Sequence, residues 1–202
     1  MPRRPPALTT TSYALLGLLA LRPWTTYELA KQVQRSLGWF WPRAERKLYD
    51  EPKKLVAAGL ATAAQEHTGK RPRTVYAITR EGRAAMRAWL DEPSAAPALE
   101  MESMVKVFFA DSGTIEQLTR TLEEVRAAAE ERLAALEQMV AEDDEPGYEF
   151  ADRLAINALG MRFVLDHERH LVEWATWALD QTRTWRSPVD AGGWDWRGAL
   201  RP

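Results

Sequence analysis

Apolar residues recur along this chain with two different periods, and the changes of period mark its elements. From Leu8 to Leu21, the residues Leu15, Leu16, Leu18 and Leu19 make a broad apolar face and predict a helix that Thr9 or Thr10 can cap. Arg22-Pro23-Trp24 ends it. Thr25 stands three residues before Glu28, the capping-box spacing, and opens a second helix that runs to about Leu37 and closes at Gly38. The aromatic cluster Trp39-Phe40-Trp41 and Pro42 follow. A third helix is expected from Arg43 to Ala58, with Leu48, Tyr49, Leu55 and Val56 on one face. Pro52 falls inside that span and should kink it near Leu48 or Tyr49, because proline removes an intrahelical hydrogen bond. Gly59 is placed as the left-handed residue after its end.

The period then drops to two. Ala61 to His67 and Thr74 to Ile78 read as the strands of a hairpin, with Tyr76 and Ile78 on one face and Gly69-Lys70-Arg71-Pro72-Arg73 at the turn. Thr79 caps a fourth helix through about Leu90, carrying Met86, Trp89 and Leu90. Glu92-Pro93-Ser94-Ala95-Ala96-Pro97 discourages both helix and strand and reads as a linker. Beyond it only helices are expected. A short apolar one covers Met101 to Ala110. A long one runs from the Thr114/Gln117 capping pair to about Ala141, with Ile115, Leu118, Leu122, Val125, Ala129 and Leu136 at three- and four-residue steps and Arg132 interrupting them. Asp143-Asp144-Glu145-Pro146-Gly147 is a turn. A last helix, from about Tyr148 to Thr184, carries Phe150, Leu154, Met161, Leu165, Leu171, Trp174 and Trp177.

The expected fold is therefore mainly α with a small β-hairpin wing. A winged helix-turn-helix domain (1–91) precedes a linker (92–97), an α-helical antiparallel dimerisation domain (98–185) and a Trp- and Gly-rich tail read as flexible (186–202). Charge sharpens this division. Over residues 1–92, sixteen Lys and Arg stand against eight Asp and Glu, a net of +8. Over 93–202, eleven stand against twenty-one, a net of -10. A basic front half suits a polyanion; an acidic rear half does not.

A positively charged helix followed by a positively charged hairpin is how a winged helix meets a DNA duplex, the helix in the major groove and the wing against the backbone or minor groove. The candidate DNA contacts are Arg43, Arg46, Lys47, Tyr49, Lys53 and Lys54 on the third helix, with Lys70, Arg71 and Arg73 on the wing. A solvated helix face is the plainer reading of the first group. Tyr49 reads equally as a core residue with its hydroxyl outward.

Other chemistry is sparse. The chain has no cysteine, so disulfides and thiolate metal sites are excluded. No apolar run approaches the roughly 20 residues that span a bilayer. Tyr13 to Leu21 lacks a cleavage site and reads as a core helix rather than a signal peptide, so a cytoplasmic location is expected. There is no phosphate-binding glycine loop and no nucleophile elbow; no catalytic residue, cofactor or metal is assigned. His167 and His170, near Asp166 and Glu173, read as surface histidines. Trp24, Trp39, Trp41, Trp89, Trp174 and Trp177 serve mostly packing. Trp89, Trp174 and Trp177 are also candidates for an aromatic effector pocket between the two domains.

The chain resembles the PadR family of transcriptional regulators. The likeness rests on Tyr13-Ala14-Leu15-Leu16-Gly17-Leu18-Leu19, on Thr26-Tyr27-Glu28-Leu29, on Leu48-Tyr49 with Leu55 and Gly59-Leu60, and on Arg73-Thr74-Val75-Tyr76-Ala77-Ile78-Thr79-Arg80-Glu81-Gly82. The rear half is similar to the virulence-activator-like alpha C dimerisation domain of one PadR subfamily. Thr26-Tyr27 stands where the family often has Gly-Tyr, and Asp50 follows Tyr49 where it often has Tyr-Pro. The resemblance implies a homodimeric repressor of inverted-repeat operators on double-stranded DNA, responsive in some members to phenolic acids or drugs. The alternative is a helical adaptor whose winged helix binds a protein.

Overall fold

A computed structural model describes residues 8–42, 48–68, 71–143 and 148–201. The chain forms two compact units, 1–96 and 97–202.

The front unit is built around α1 (Thr10–Leu21), whose Leu15, Leu16, Leu18 and Leu19 are buried. Thr9 caps it reciprocally with Ser12. The two-residue strand β1 (Trp24–Thr25) leads into α2 (Thr26–Arg35), which opens on the expected Thr25/Glu28 capping box and buries Leu29 and Val33. A single 3-10 turn, Leu37–Trp39, follows. α3 (Glu51–Ala57), β2 (Ala61–Thr68), β3 (Arg71–Ile78) and α4 (Arg80–Leu90) complete the unit. The sheet is antiparallel in the order β1-β3-β2, with Trp24 opposite Tyr76 and Ala61 opposite Ile78.

Two glycines hold the hairpin to its neighbours. Gly59 turns the chain out of α3 at φ +74°, the left-handed conformation expected there. Gly82 lies so close to the backbone of Leu60 that an added Cβ would stand 2.1 Å from the Leu60 carbonyl oxygen. Thr79 sits between them. Its hydroxyl donates to the Gly59 carbonyl at 2.8 Å, and it also accepts from the Gly82 amide to cap α4.

The third helix departs from expectation. Among the described residues it begins at Glu51, not Arg43, and Pro52 stands in its first turn. Proline there interrupts no intrahelical bond, because the first amides of a helix have no carbonyl to meet. The expected kink is therefore replaced by a helix start. The wing is also longer than expected. β3 begins at Arg71, leaving a two-residue connection between Thr68 and Arg71. Pro72 lies within β3 opposite His67, where it is tolerated because β1 reaches only Thr74's neighbours, Val75 and Tyr76.

In the rear unit, α5 (Glu102–Phe108) precedes α6 (Ile115–Asp143) and α7 (Leu154–Thr182), which pack along each other. Thr114 and Gln117 bond reciprocally at the start of α6, as expected from their spacing. Leu118, Leu122, Val125, Ala129 and Leu136 are buried along α6. Arg132, which interrupts this stripe, meets the buried carboxylate of Glu168 on α7, Nε to Oε1 at 2.7 Å. The buried residues of α7 are Val164, Glu168, Ala175, Ala178 and Thr182, with Met161, Leu165, Leu171 and Trp174 partly buried beside them. Alanines at the seam let the two backbones approach, so Leu154 and Trp177 lie on exposed flanks. Phe150 falls before the helix, which a 3-10 turn (Ala151–Arg153) introduces.

The tail read as flexible follows a folded path in part. An isolated bridge joins Ser187 to Asp190, a four-residue helix α8 (Trp196–Ala199) ends it, and Trp194 packs against Trp177 and Trp185.

Two stability measurements follow. Gly82→Ala should lower unfolding free energy by about 2 kcal/mol, because a methyl against a fixed carbonyl forces the backbone apart; urea titration by circular dichroism reads it, and an unchanged midpoint contradicts the close approach. Arg132→Ala should cost about 3 kcal/mol by stranding a buried carboxylate, whereas Arg132→Met combined with Glu168→Leu should recover most of that loss.

Candidate nucleic-acid interface

The surface expected to meet DNA is held by a buried anchor. Glu51, the first residue of α3, is 3% exposed. Its Oε1 accepts from the Ser12 hydroxyl of α1 at 2.5 Å, and its Oε2 pairs with Lys54 Nζ at 3.1 Å. Ser12 is itself buried. Leu48 and Leu55 fill the core below, and the Trp41 indole N–H donates to the Thr11 hydroxyl at 3.2 Å. These contacts fix α3 against α1 and decide which of its faces looks outward.

That outward face holds Tyr49, 69% exposed, together with Lys53 and the half-exposed Lys54. Of the two readings of Tyr49, core or surface, the fold places it on the surface. Lys53 comes within 3.9 Å of Asp50, a weak exposed pair. Lys54 is drawn back towards Glu51, so its charge is partly spent inside the domain. Arg43, Arg46 and Lys47 lie outside the described residues, as does Lys70. The backbone of Arg71 begins β3. Arg73 stands opposite Glu66 in the hairpin and binds it, Nη2 to Oε2 at 2.8 Å, both side chains about half exposed. This cross-strand carboxylate was not part of the sequence reading. It was legible in principle, since the strand register pairs positions 66 and 73.

α2 is positioned with equal care. The Thr25 hydroxyl and amide both donate to Glu28 Oε2, at 2.7 and 2.8 Å. These bonds, with Arg22 close by at 3.5 Å, hold the Glu28 carboxyl below its usual range. Arg22 also lies over the Trp24 ring at 3.5 Å.

The effector candidates belong to different units. Trp89 stacks on Tyr13 within the front unit, ring centroids 4.7 Å apart and planes 5° apart. Trp174 and Trp177 line a cavity that belongs wholly to the rear unit, with Trp185 and Trp194 beside them. At the other end of the same helix, Asp166 accepts from Arg162 at 2.6 Å, which lowers its pKa. Among the described residues no cluster of three or more His, Asp or Glu side chains is arranged to hold a metal ion, and no helix is long and apolar enough to cross a membrane.

Comparison with known proteins places both units. Residues 15–88 match the transcriptional regulator PadR-like family, and residues 101–183 match the virulence activator alpha C-term family. The negative transcriptional regulator PadR of Bacillus subtilis (strain 168) is 30% identical over 99 residues, which are 48% of this chain and 54% of that protein. A probable transcriptional regulator of Mycobacterium tuberculosis, Rv1176c, is 32% identical over 83 residues, 40% of this chain and 43% of that protein. The chain thus spans about half the length of the curated relatives it matches. Among solved structures, Bacillus subtilis PadR in complex with operator DNA superposes with a TM-score of 0.73 at 22% identity, covering 86% of this chain and 99% of that one. The Vibrio cholerae virulence activator AphA gives 0.68 at 24% identity, covering 86% and 98%. PadR with p-coumaric acid gives 0.69 at 22% identity, covering 87% and 99%. These structural likenesses share the fold: a winged helix with a small antiparallel sheet, followed by a helical region. The chain carries a PadR-like transcriptional-regulator domain followed by a virulence activator alpha C-terminal domain.

Proposed function

We propose that this protein is a DNA-binding transcriptional regulator that reads an inverted-repeat operator as a homodimer and acts as a ligand-responsive repressor in the cytoplasm. The observation that carries the reading is the anchored α3 with exposed Tyr49 and Lys53, beside a hairpin whose sequence includes Lys70, Arg71 and Arg73, on a half with net charge +8. Cations on a helix and on a neighbouring wing supply the phosphate contacts that give affinity, and the helix supplies the side chains that reach base edges. PadR of Bacillus subtilis, a relative of the same fold, is solved with operator DNA and with p-coumaric acid.

Dimerisation suits both halves. One winged helix makes a small interface with DNA, and two of them about 34 Å apart read a near-palindrome. On α7 the rear unit leaves Ile156, Leu159 and Phe163 exposed at helical spacing, and Val105 of α5 is exposed too. Apolar stripes of this size are covered in a stable protein, and a second copy supplies the matching surface. An adaptor role is less well supported, because a protein partner needs no concentration of cations on helix and wing.

A gel shift with the promoter region upstream of its own coding sequence tests the reading. The complex should weaken steeply as salt rises, and the variant K70A/R71A/R73A should lower the log–log salt slope by about two to three, close to one per lost phosphate contact. Binding that ignores salt in both proteins rejects phosphate contact by the wing. Loss of the complex from 50 to 200 mM salt in the parent, with an unchanged slope in the variant, assigns the phosphates to α3 alone.

A further inference from the structure

We infer that the rear unit contains a complete ligand site of its own, walled by the tail, for a flat aromatic molecule that carries no negative charge. The inference deepens the ligand-responsive part of the proposed function and rests on that reading only for its regulatory meaning. The cavity between α5, α6 and α7 has a volume of about 440 Å³, within the size of small-molecule sites. Six of its fifteen lining residues are aromatic, among them Trp174 and Trp177 from α7, Trp185 just beyond it, and Phe109 after α5. Stacking on such walls favours planar ligands.

The tail completes the site. Trp194 lines the same cavity, 5.2 Å from the Trp185 ring and 6.3 Å from the Trp177 ring. Its indole N–H donates to Gln181 Oε1 at 2.9 Å, which pins the tail to α7. Without that bond the cavity would lose one side. The Trp185 indole N–H is buried with no acceptor among the described residues. A cluster that served packing alone gains nothing from an unmet donor.

Charge selects the ligand. Asp111 is the single charged residue among those that line the cavity, and it is exposed. The half that surrounds it carries a net of -10. A planar cation gains from both Asp111 and the ring faces, while a carboxylate is repelled by the first and by the faces of the rings. The site therefore discriminates against anionic aromatic acids.

The test compares two tricyclic probes of similar size on the full-length protein in the absence of DNA. Proflavine is cationic at neutral pH; anthracene-9-carboxylate is anionic. Fluorescence anisotropy of each probe and calorimetry give the affinities. Proflavine should bind saturably, and anthracene-9-carboxylate about tenfold more weakly or worse. Asp111→Asn should weaken proflavine about threefold, the size of an exposed charge contact, and narrow the gap between the probes. Trp194→Ala should weaken both probes about tenfold. Trp89→Phe, in the other unit, should change neither. The inference is overturned by absence of saturable proflavine binding, by tighter binding of the carboxylate, or by loss in Trp89→Phe with none in Asp111→Asn. Should Trp194→Ala fail to fold by circular dichroism, the Asp111→Asn comparison still decides. Operator binding is scored separately by gel shift: a protein that binds DNA but not proflavine rejects this inference alone, and one that binds proflavine but no DNA rejects the regulator reading alone.

Discussion

A carboxylate taken out of water must find donors, and in each half of this chain one buried glutamate sets where a helix lies. Glu51 accepts from Ser12 and pairs with Lys54, which ties the start of α3 to α1. Glu168 accepts from Arg132, which ties α7 to α6. Apolar packing alone resists small slips of one helix along another only weakly, because a leucine displaced by part of a turn still finds apolar neighbours. A buried carboxylate tolerates that slip poorly, since a bonded oxygen that is displaced loses its donor in a poorly solvating interior. Both pairs are thus devices of register. In the front unit the register decides that Tyr49 and Lys53 look outward while Leu48 and Leu55 look in.

The local signals were legible because they act over three or four residues. Thr25 with Glu28, Thr79 with Gly82, and Thr114 with Gln117 form the capping contacts their spacing announces, and Gly59 takes the left-handed conformation expected after α3. Pro52 was misread because its effect depends on where the helix begins. The same residue is a kink in an interior and an acceptable start in a first turn, and sequence periodicity locates interiors better than ends. On α7 the size of an apolar residue does not tell which face forms the seam. Large apolar residues mark an apolar face, but a close seam between two long helices selects small ones, so Ala175 and Ala178 face inward and Trp177 lies on the flank. Arg132 was noticed as an interruption; its partner, thirty-six residues away, was invisible until the helices were paired.

The candidate site was legible in composition more than in detail. Three of the cations named for the third helix, and Lys70 of the wing, lie outside the described residues. Lys53, Lys54 and Arg73 are within them and each has a carboxylate nearby. The partners differ in what they cost a DNA contact. The Lys53 and Arg73 pairs are exposed, and such pairs contribute about 0–1 kcal/mol, so a phosphate can replace the carboxylate with little loss. Lys54 faces a buried carboxylate whose other donor is Ser12, and withdrawing it leaves Glu51 with fewer bonds. Lys54 thus helps to hold α3 against α1.

The division of charge gives the two halves different chemistries for binding. A long polyanion is attracted to the front and repelled by the rear; a small aromatic cation is favoured by the rear's carboxylates and by its tryptophan faces. On the proposed reading one chain carries both sites, which differ in scale as well as sign. The duplex needs a broad convex surface with spread cations, which a helix and a hairpin provide. The small ligand needs a concave apolar wall with a single charge, which the seam of α6 and α7 provides with α5 and the tail. For such a ligand to regulate DNA binding, it must bind one conformational state of the protein more tightly than another, since equal affinity for both shifts nothing. The element that can supply this difference is the tail wall. Trp194 is held to α7 by one hydrogen bond, to Gln181, and by ring contacts, so its seated position is separated from an unseated one by few interactions. An occupant that stacks on Trp194 favours the seated state, and the energy of that stacking is the most the ligand can contribute to the shift.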